Sequence, residues 1–224
     1  MARNNWTLNP QNRIDPVKKI LSRLSMKVRR EQLDILLKHY LPGSSTLVLD
    51  VGVAPVEELV DTNYFEQHYP YPKRITAVSV EDCRVLFEQK YPKIKYLQVS
   101  PGSPLPFKNK QFDLVTSWAT LEHVGNYQSQ KYFLRELLRV GKNVFVTTPY
   151  RGCFYEPHTG FIFLHWLPLT WFRKICRSLG RTFWADIRHF NPLFAMDVKK
   201  MLPHSKIRIY STFKMIPSHL IITA

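Results

Sequence analysis

A chain of 224 residues that is 45% hydrophobic and 22% charged can bury a substantial core, which excludes disorder as its main state. Its three scattered cysteines, Cys83, Cys153 and Cys176, suggest neither a disulfide framework nor a close metal-ligand spacing, and point to a reducing, cytoplasmic compartment. The net charge of +15 marks a basic protein and gathers at the ends: residues 1–41 carry nine Lys and Arg against three Asp and Glu, residues 42–150 twelve against eleven, and residues 151–224 eleven against three.

The polar opening, Met1 to Asn12, does not read as a secretory signal, and no apolar run approaches the roughly 20 residues that span a bilayer. Asp15-Pro16 is a helix start, because Asp caps and the missing N–H of Pro costs nothing in a first turn. Val17, Ile20, Leu21, Leu24 and Val28 follow on one face. Lys18, Lys19, Arg23, Lys27, Arg29 and Arg30 fall elsewhere around the helix, and Pro42-Gly43 stops it after Leu41.

Short apolar runs then predict strands at Thr46 to Val51, Ile75 to Val80, Ile94 to Val99, Phe112 to Trp118 and Asn143 to Thr147. Helices are predicted from Asp82 to Tyr91, from Gln128 to Arg139 with Phe133, Leu134, Leu137 and Leu138 inward, and from Leu169 to Leu179. Lys206 to Tyr210 and His219 to Thr223 add antiparallel edge strands. The alternation predicts an α/β fold, Rossmann-like and doubly wound. Its sheet is seven-stranded and mostly parallel, with flanking helices and a C-terminal antiparallel strand. The chain reads as one domain in three parts: a basic arm and amphipathic helix (1–41), the core (42–150), and a lid or acceptor segment that completes the sheet (151–224). Ligands of such sheets sit beyond the carboxyl ends of the strands, so the chemistry is expected after Val51, Val80, Val99, Trp118 and Thr147.

At those ends the sequence reads LDVGVAP (Leu49 to Pro55), ITAVSVED (Ile75 to Asp82), LPFKNKQFDLV (Leu105 to Val115), LEHV (Leu121 to Val124) and RELLRVGKNVFVTTP (Arg135 to Pro149). In this order and spacing the blocks resemble the class I S-adenosylmethionine-dependent methyltransferases, in the broad small-molecule branch often called methyltransferase type 11. The resemblance covers residues 46–150, and Leu105 to Val140 is its most specific part.

The resemblance implies S-adenosylmethionine as cofactor and assigns residues to it. Gly52 matches the glycine that lets the main chain approach the cofactor, while Ala54 and Val56 stand where two further glycines are usual, the latter implying a displaced loop. Asp50 takes the acid position on the methionine-tail side; its other reading is a helix cap or loop anchor. Ser79 stands where a ribose-binding acid is usual, which leaves Glu81 as the ribose ligand, whereas Asp82 suits a cap for the next helix. Ser100-Pro101-Gly102-Ser103 lacks the adenine-binding acid, so adenine falls to Gly102 and Ser103. Ser117 and Trp118 are expected to line the pocket near the methyl donor.

Glu122 and His123 match the Glu-His pair of the family. The histidine is a candidate general base for a substrate hydroxyl, because its pKa lies near working pH. The pair also reads as a buried hydrogen-bonded turn. Quinone-type relatives that bind a divalent cation carry a further acid where this chain has Ala119, so no metal is expected. Thr147-Thr148-Pro149-Tyr150 is superficially similar to the Asp/Asn-Pro-Pro-Tyr motif of amino-methylating DNA enzymes, but it follows the fifth strand and lacks the acid or amide.

Beyond Tyr150, the stretch Pro157 to Phe172 sets His158, Phe161, Phe163, His165, Trp166, Trp171 and Phe172 among aliphatics, with Arg173, Lys174, Arg177 and Arg181 close behind. Insertions at this point shape the acceptor pocket in the family. His158 and His165 are therefore candidate base or orienting residues, against the plainer reading of core or lid packing. The expected function is O-methylation of a small-molecule, lipid or glycan acceptor. The alternative is a methyltransferase fold that no longer catalyses and serves as a binding or scaffold module. The basic flanks suit peripheral contact with an acidic membrane. Nucleic acid is not expected as a partner, since charge alone supports it and no RNA-binding signature is present.

Overall fold

The structure, a computed structural model, describes residues 16–55, 57, 61–156, 158–212 and 216–224, and the side chains from residue 25 onward. Asp15, Val56 and the apolar side chains of Val17, Ile20, Leu21 and Leu24 lie outside the described residues, as does Pro157. The chain divides into two compact units. The first runs to Thr116 and takes in Arg139–Asn143; the second holds Ser117–Leu138 and Val144–Ala224.

In the first unit, helix α1 (Pro16–Tyr40) buries Val28, Leu33 and Leu36. It ends at Leu41, which turns left-handed (φ 46°) just before Pro42-Gly43. Strand β1 (Val48–Val51) is buried throughout. It pairs in parallel with β2 (Ile75–Ser79), Val48 opposite Ile75, and with β4 (Phe112–Trp118), Val48 opposite Leu114. Val48, Val51, Ile75 and Val78 are β-branched, as suits a strand covered on both faces. Strand β3 (Lys95–Gln98) pairs with β2 and is largely exposed. Helix α3 (Arg84–Lys90) is shorter than its predicted span. Helix α2 (Tyr64–His68) has five residues, too few for a periodic signal, and the sequence reading missed it.

In the second unit, the end of β4 leads into a single 3-10 turn, Leu121–His123, and helix α4 (Tyr127–Val140), which buries Leu134 and Leu137. Strand β5 (Gly141–Pro149) is longer at both ends than predicted. It pairs antiparallel with β9 (Ile216–Thr223), which pairs antiparallel with β8 (Lys206–Thr212). The sheet order is β3-β2-β1-β4-β5-β9-β8, the expected mostly parallel seven-stranded sheet with its antiparallel end. A two-stranded hairpin of β6 (Tyr155–Glu156) and β7 (Phe161–Ile162) and helix α6 (Ala195–Met201) are additions to the predicted elements, and α5 (Leu169–Ser178) matches.

Buried amides fix the loop after β4. Gln130 Nε2 donates to the carbonyls of Leu121 (3.0 Å) and Asn191 (2.8 Å), and Asn191 Nδ2 donates back to Gln130 Oε1 (2.9 Å). The Asn191 N–H donates to the carbonyl of Glu122 (2.7 Å). This network sets where Glu122 and His123 stand.

Candidate active site

In the first unit, the predicted residues after β1 are held from several sides. Gly52 has φ 105°, a conformation that favours glycine, and its N–H donates to the carbonyl of Val78 (2.8 Å). Asn63, itself left-handed (φ 50°), clamps Ala54: its Oδ1 accepts the Ala54 N–H (2.9 Å) and its Nδ2 donates to the Ala54 carbonyl (3.0 Å). The sequence reading missed this residue. Asp50 is buried, and its Oδ1 accepts from Thr116 Oγ1 at 2.5 Å. Glu66 of α2 is also buried and bonds the same carboxylate; burial first, and then the charge of Asp50, push its pKa well above the usual carboxylate range.

The loop after β2 is stapled in the same manner. Ser79 is buried and its Oγ accepts the Glu81 N–H (3.2 Å), while Tyr96 donates to the Glu81 carbonyl (2.5 Å). The Glu81 side chain is half-buried. Asp82 accepts the Arg84 N–H (3.1 Å) and pairs with its guanidinium (2.8 Å), while the N-cap position of α3 is taken by Cys83. Gly102 (φ 70°) and Ser103 form an exposed turn after β3.

In the second unit, Ser117 is buried and the Trp118 ring packs on Phe145 with centroids 5.4 Å apart. Ala119 is left-handed (φ 52°) and its N–H donates to the carbonyl of Thr147 (2.8 Å). The turn that follows delivers Glu122 and His123 to His158, which comes from the segment between β6 and β7. One ligand-type atom from each of the three lies within 4.8 Å of the others. Glu122 is fully buried. Its Oε2 accepts from Thr148 Oγ1 (2.7 Å), and its Oε1, 3.7 Å from His123 Nε2, has no hydrogen-bond partner among the described residues.

Each histidine is oriented through Nδ1. His123 Nδ1 faces the carbonyl of His189 at 2.7 Å, so that nitrogen carries the hydrogen. His158 Nδ1 donates to Glu156 Oε1 at 2.6 Å. Trp184 and Phe190 wall the pair, with centroids 5.1 and 4.8 Å from the His158 ring, and the two imidazoles stand edge to face at 5.0 Å. Burial, then repulsion from His158, holds the His123 pKa below the usual value, and Glu122 only partly offsets this.

Glu156 is the functional residue that the sequence reading missed. It also accepts the His158 N–H (3.0 Å), the Thr159 N–H (2.6 Å) and Thr159 Oγ1 (2.7 Å). Burial alone would raise its pKa; the charge of His158 and these hydrogen bonds outweigh that and hold it at about 2. Beside it lies a cavity of about 150 Å³, lined among others by Tyr150, Arg151, Glu156, His165, Phe190 and His219. His165 turns Nε2 to the carbonyl of Cys153 (2.7 Å) and supports this wall.

Residues 49–144 match a family described as methyltransferase domain. Comparison with curated proteins finds no sequence relative. Among solved structures, the domain is similar to a S-adenosylmethionine-dependent methyltransferase from Methanosarcina mazei (11% identity, 84% of this chain and 95% of that one, TM-score 0.54). It is likewise similar to the Burkholderia thailandensis 1,6-didemethyltoxoflavin-N1-methyltransferase, solved with S-adenosylhomocysteine (13%, 94% and 90%, 0.54). A third is the magnesium protoporphyrin IX methyltransferase of Synechocystis, also with S-adenosylhomocysteine (14%, 94% and 88%, 0.54). The fold is that of the S-adenosylmethionine-dependent methyltransferases. Gly52 is compatible with that cofactor: its φ of 105° would strain a side chain, so the main chain at the carboxyl end of β1 is left without a Cβ.

Proposed function

We propose that the chain is an S-adenosylmethionine-dependent O-methyltransferase acting on a hydroxyl of a small-molecule, lipid or glycan acceptor. The donor supplies an electrophilic methyl group. Asp50, Gly52 and Ala54 would hold its methionine end, Glu81 its ribose, Gly102 and Ser103 its adenine, and Ser117 and Trp118 would lie beside the methyl.

The observation that carries the reading is the cluster of Glu122, His123 and His158. His123 has its Nδ1 hydrogen on the His189 carbonyl, which makes Nε2 its basic nitrogen. Glu122 stands 3.7 Å from that nitrogen and stabilises the imidazolium formed when it takes the acceptor proton. The apolar walls of Trp184 and Phe190 exclude water from the exchange. The second reading, a methyltransferase fold kept for binding alone, draws on Ser79 and Pro101, which stand where family acids are usual.

The surface near the cluster favours an acceptor presented at an acidic lipid surface. Phe154, Phe163 and Trp166 are exposed neighbours, with centroids 6.4 and 4.7 Å apart in turn, and Trp171 is exposed beneath the Lys174 ammonium (5.5 Å). Exposed rings flanked by basic side chains suit the headgroup zone. Among the described residues no helix is long and apolar enough to cross a membrane.

The test gives the protein methyl-labelled donor together with lipid, glycan and small-molecule fractions, and floats it with vesicles containing phosphatidylserine. Label in a base-stable product, and flotation that Trp166→Ala with Trp171→Ala abolishes, are expected. Absence of label in every fraction overturns the enzyme reading, and flotation unchanged by the substitutions overturns the lipid surface.

A further inference from the structure

The three side chains that face one another here are also a ligand set. We propose that Glu122, His123 and His158 form a two-histidine, one-carboxylate site for a divalent transition-metal ion, zinc by the chemistry of its donors. The inference does not depend on which acceptor is methylated.

Four observations meet at this point. First, one ligand-type atom from each residue lies within 4.8 Å of the other two, and Glu122 Oε1 is 3.7 Å from His123 Nε2. A tetrahedral cation with ligands at about 2.0–2.1 Å needs them about 3.3 Å apart, so the cluster closes on an ion with shifts of about an ångström. Second, Glu122 Oε1 is a buried carboxylate oxygen with no hydrogen-bond partner among the described residues, a state that a bound cation relieves.

Third, every member already has an outer partner that fixes its orientation. Thr148 holds the other Glu122 oxygen (2.7 Å), the His189 carbonyl holds His123 Nδ1 (2.7 Å), and Glu156 holds His158 Nδ1 (2.6 Å). Histidines that bind metals are oriented in this manner, the second ring nitrogen donating to a carboxylate or carbonyl. Fourth, the three ligands come from rigid supports: a 3-10 turn tied to Asn191, and a hairpin loop that Glu156 closes with four hydrogen bonds.

Two imidazoles and a single carboxylate select zinc and its first-row neighbours over magnesium and calcium, which prefer oxygen donors. Three protein ligands leave a coordination position open, and an oxygen bound there becomes more acidic, which is the activation that an acceptor hydroxyl requires. With the ion seated, Nε2 of His123 is a ligand and the ion takes over the activation assigned above to His123 as a base, so the two roles are alternatives and His123→Gln removes either one.

Cobalt(II) reports the site directly, through its visible absorption when bound by nitrogen and oxygen in low coordination. The full chain, stripped with chelator, is titrated with cobalt(II) and then with competing zinc, with circular dichroism recorded alongside. Saturation at one ion per chain, displacement by zinc but not by magnesium, and binding weakened at least about 10–100-fold in both His158→Ala and Glu122→Gln are expected. His123→Gln, which keeps a polar side chain under the His189 carbonyl, gives the same loss if either variant unfolds. No saturable binding, saturation displaced by magnesium as readily as by zinc, or binding that survives the substitutions in folded protein overturns the proposal. None of these readouts requires turnover, so failure of the site and failure of the methyl-transfer reading are separable.

Discussion

His123→Gln is expected to lower the rate of methyl transfer by about 10²–10⁴-fold, the range for losing a positioned proton acceptor. The melting temperature should move little. His123 Nδ1 donates to the His189 carbonyl at 2.7 Å, and a glutamine amide can supply a donor to the same oxygen. Its edge contact with His158 at 5.0 Å is modest in energy, since a ring pair is worth about 0.5–1.5 kcal/mol. The Michaelis constant for the donor should also hold, because the residues assigned to the donor are others. A rate within threefold of wild type in folded protein would return Glu122 and His123 to the structural turn that was their plainer reading.

Glu156→Gln carries the largest expected cost in stability. The carboxylate is buried, takes four hydrogen bonds and neutralises His158. Its pKa is held at about 2, below the ordinary carboxylate value of 4.5, which corresponds to about 3 kcal/mol of stability at neutral pH. The sign follows from the depressed value. The stabilisation is present above the unfolded-state pKa near 4.5 and is lost as the pH falls from there toward about 2. The amide keeps one acceptor and turns two hydrogens toward N–H donors, so the substitution leaves buried groups unmatched. Urea denaturation at pH 7 should show a loss of about 3 kcal/mol, and the difference from wild type should shrink toward pH 3. Equal midpoints at pH 7 would show that Glu156 does not hold the His158 loop. In folded protein, methyl transfer should fall as well, since His158 loses the partner that orients it.

The predicted elements were legible because each buries a continuous face. β1 and β2 are short apolar runs buried along almost their whole length, α4 places Leu134 and Leu137 inward at helical spacing, and the Glu-His pair follows β4 at the strand end where chemistry is expected. The elements that were missed are short. α2, with five residues, and the two-residue strands β6 and β7 cannot display a period.

The site was half legible for a related reason. His123 and His158 were recognisable as side-chain chemistry, but their meeting depends on pairings 35 residues apart that no local pattern encodes. Trp184, His189 and Phe190, which wall and orient the pair, stand further still along the chain. Glu156 was within reach: Glu156-Pro157-His158-Thr159 places a carboxylate two and three residues before groups that donate to it. Around Asp50 the strand end was read correctly, yet Glu66 is invisible in sequence, since its proximity arises only when α2 packs.

The account stands most directly on whether the chain binds the nucleoside that its domain implies. Isothermal titration of the full chain with S-adenosylhomocysteine is predicted to saturate at one ligand per chain with a dissociation constant in the micromolar range, about −8 kcal/mol. Heats that show no saturation up to about 1 mM, weaker than about −4 kcal/mol, would contradict it and leave a methyltransferase fold without its donor.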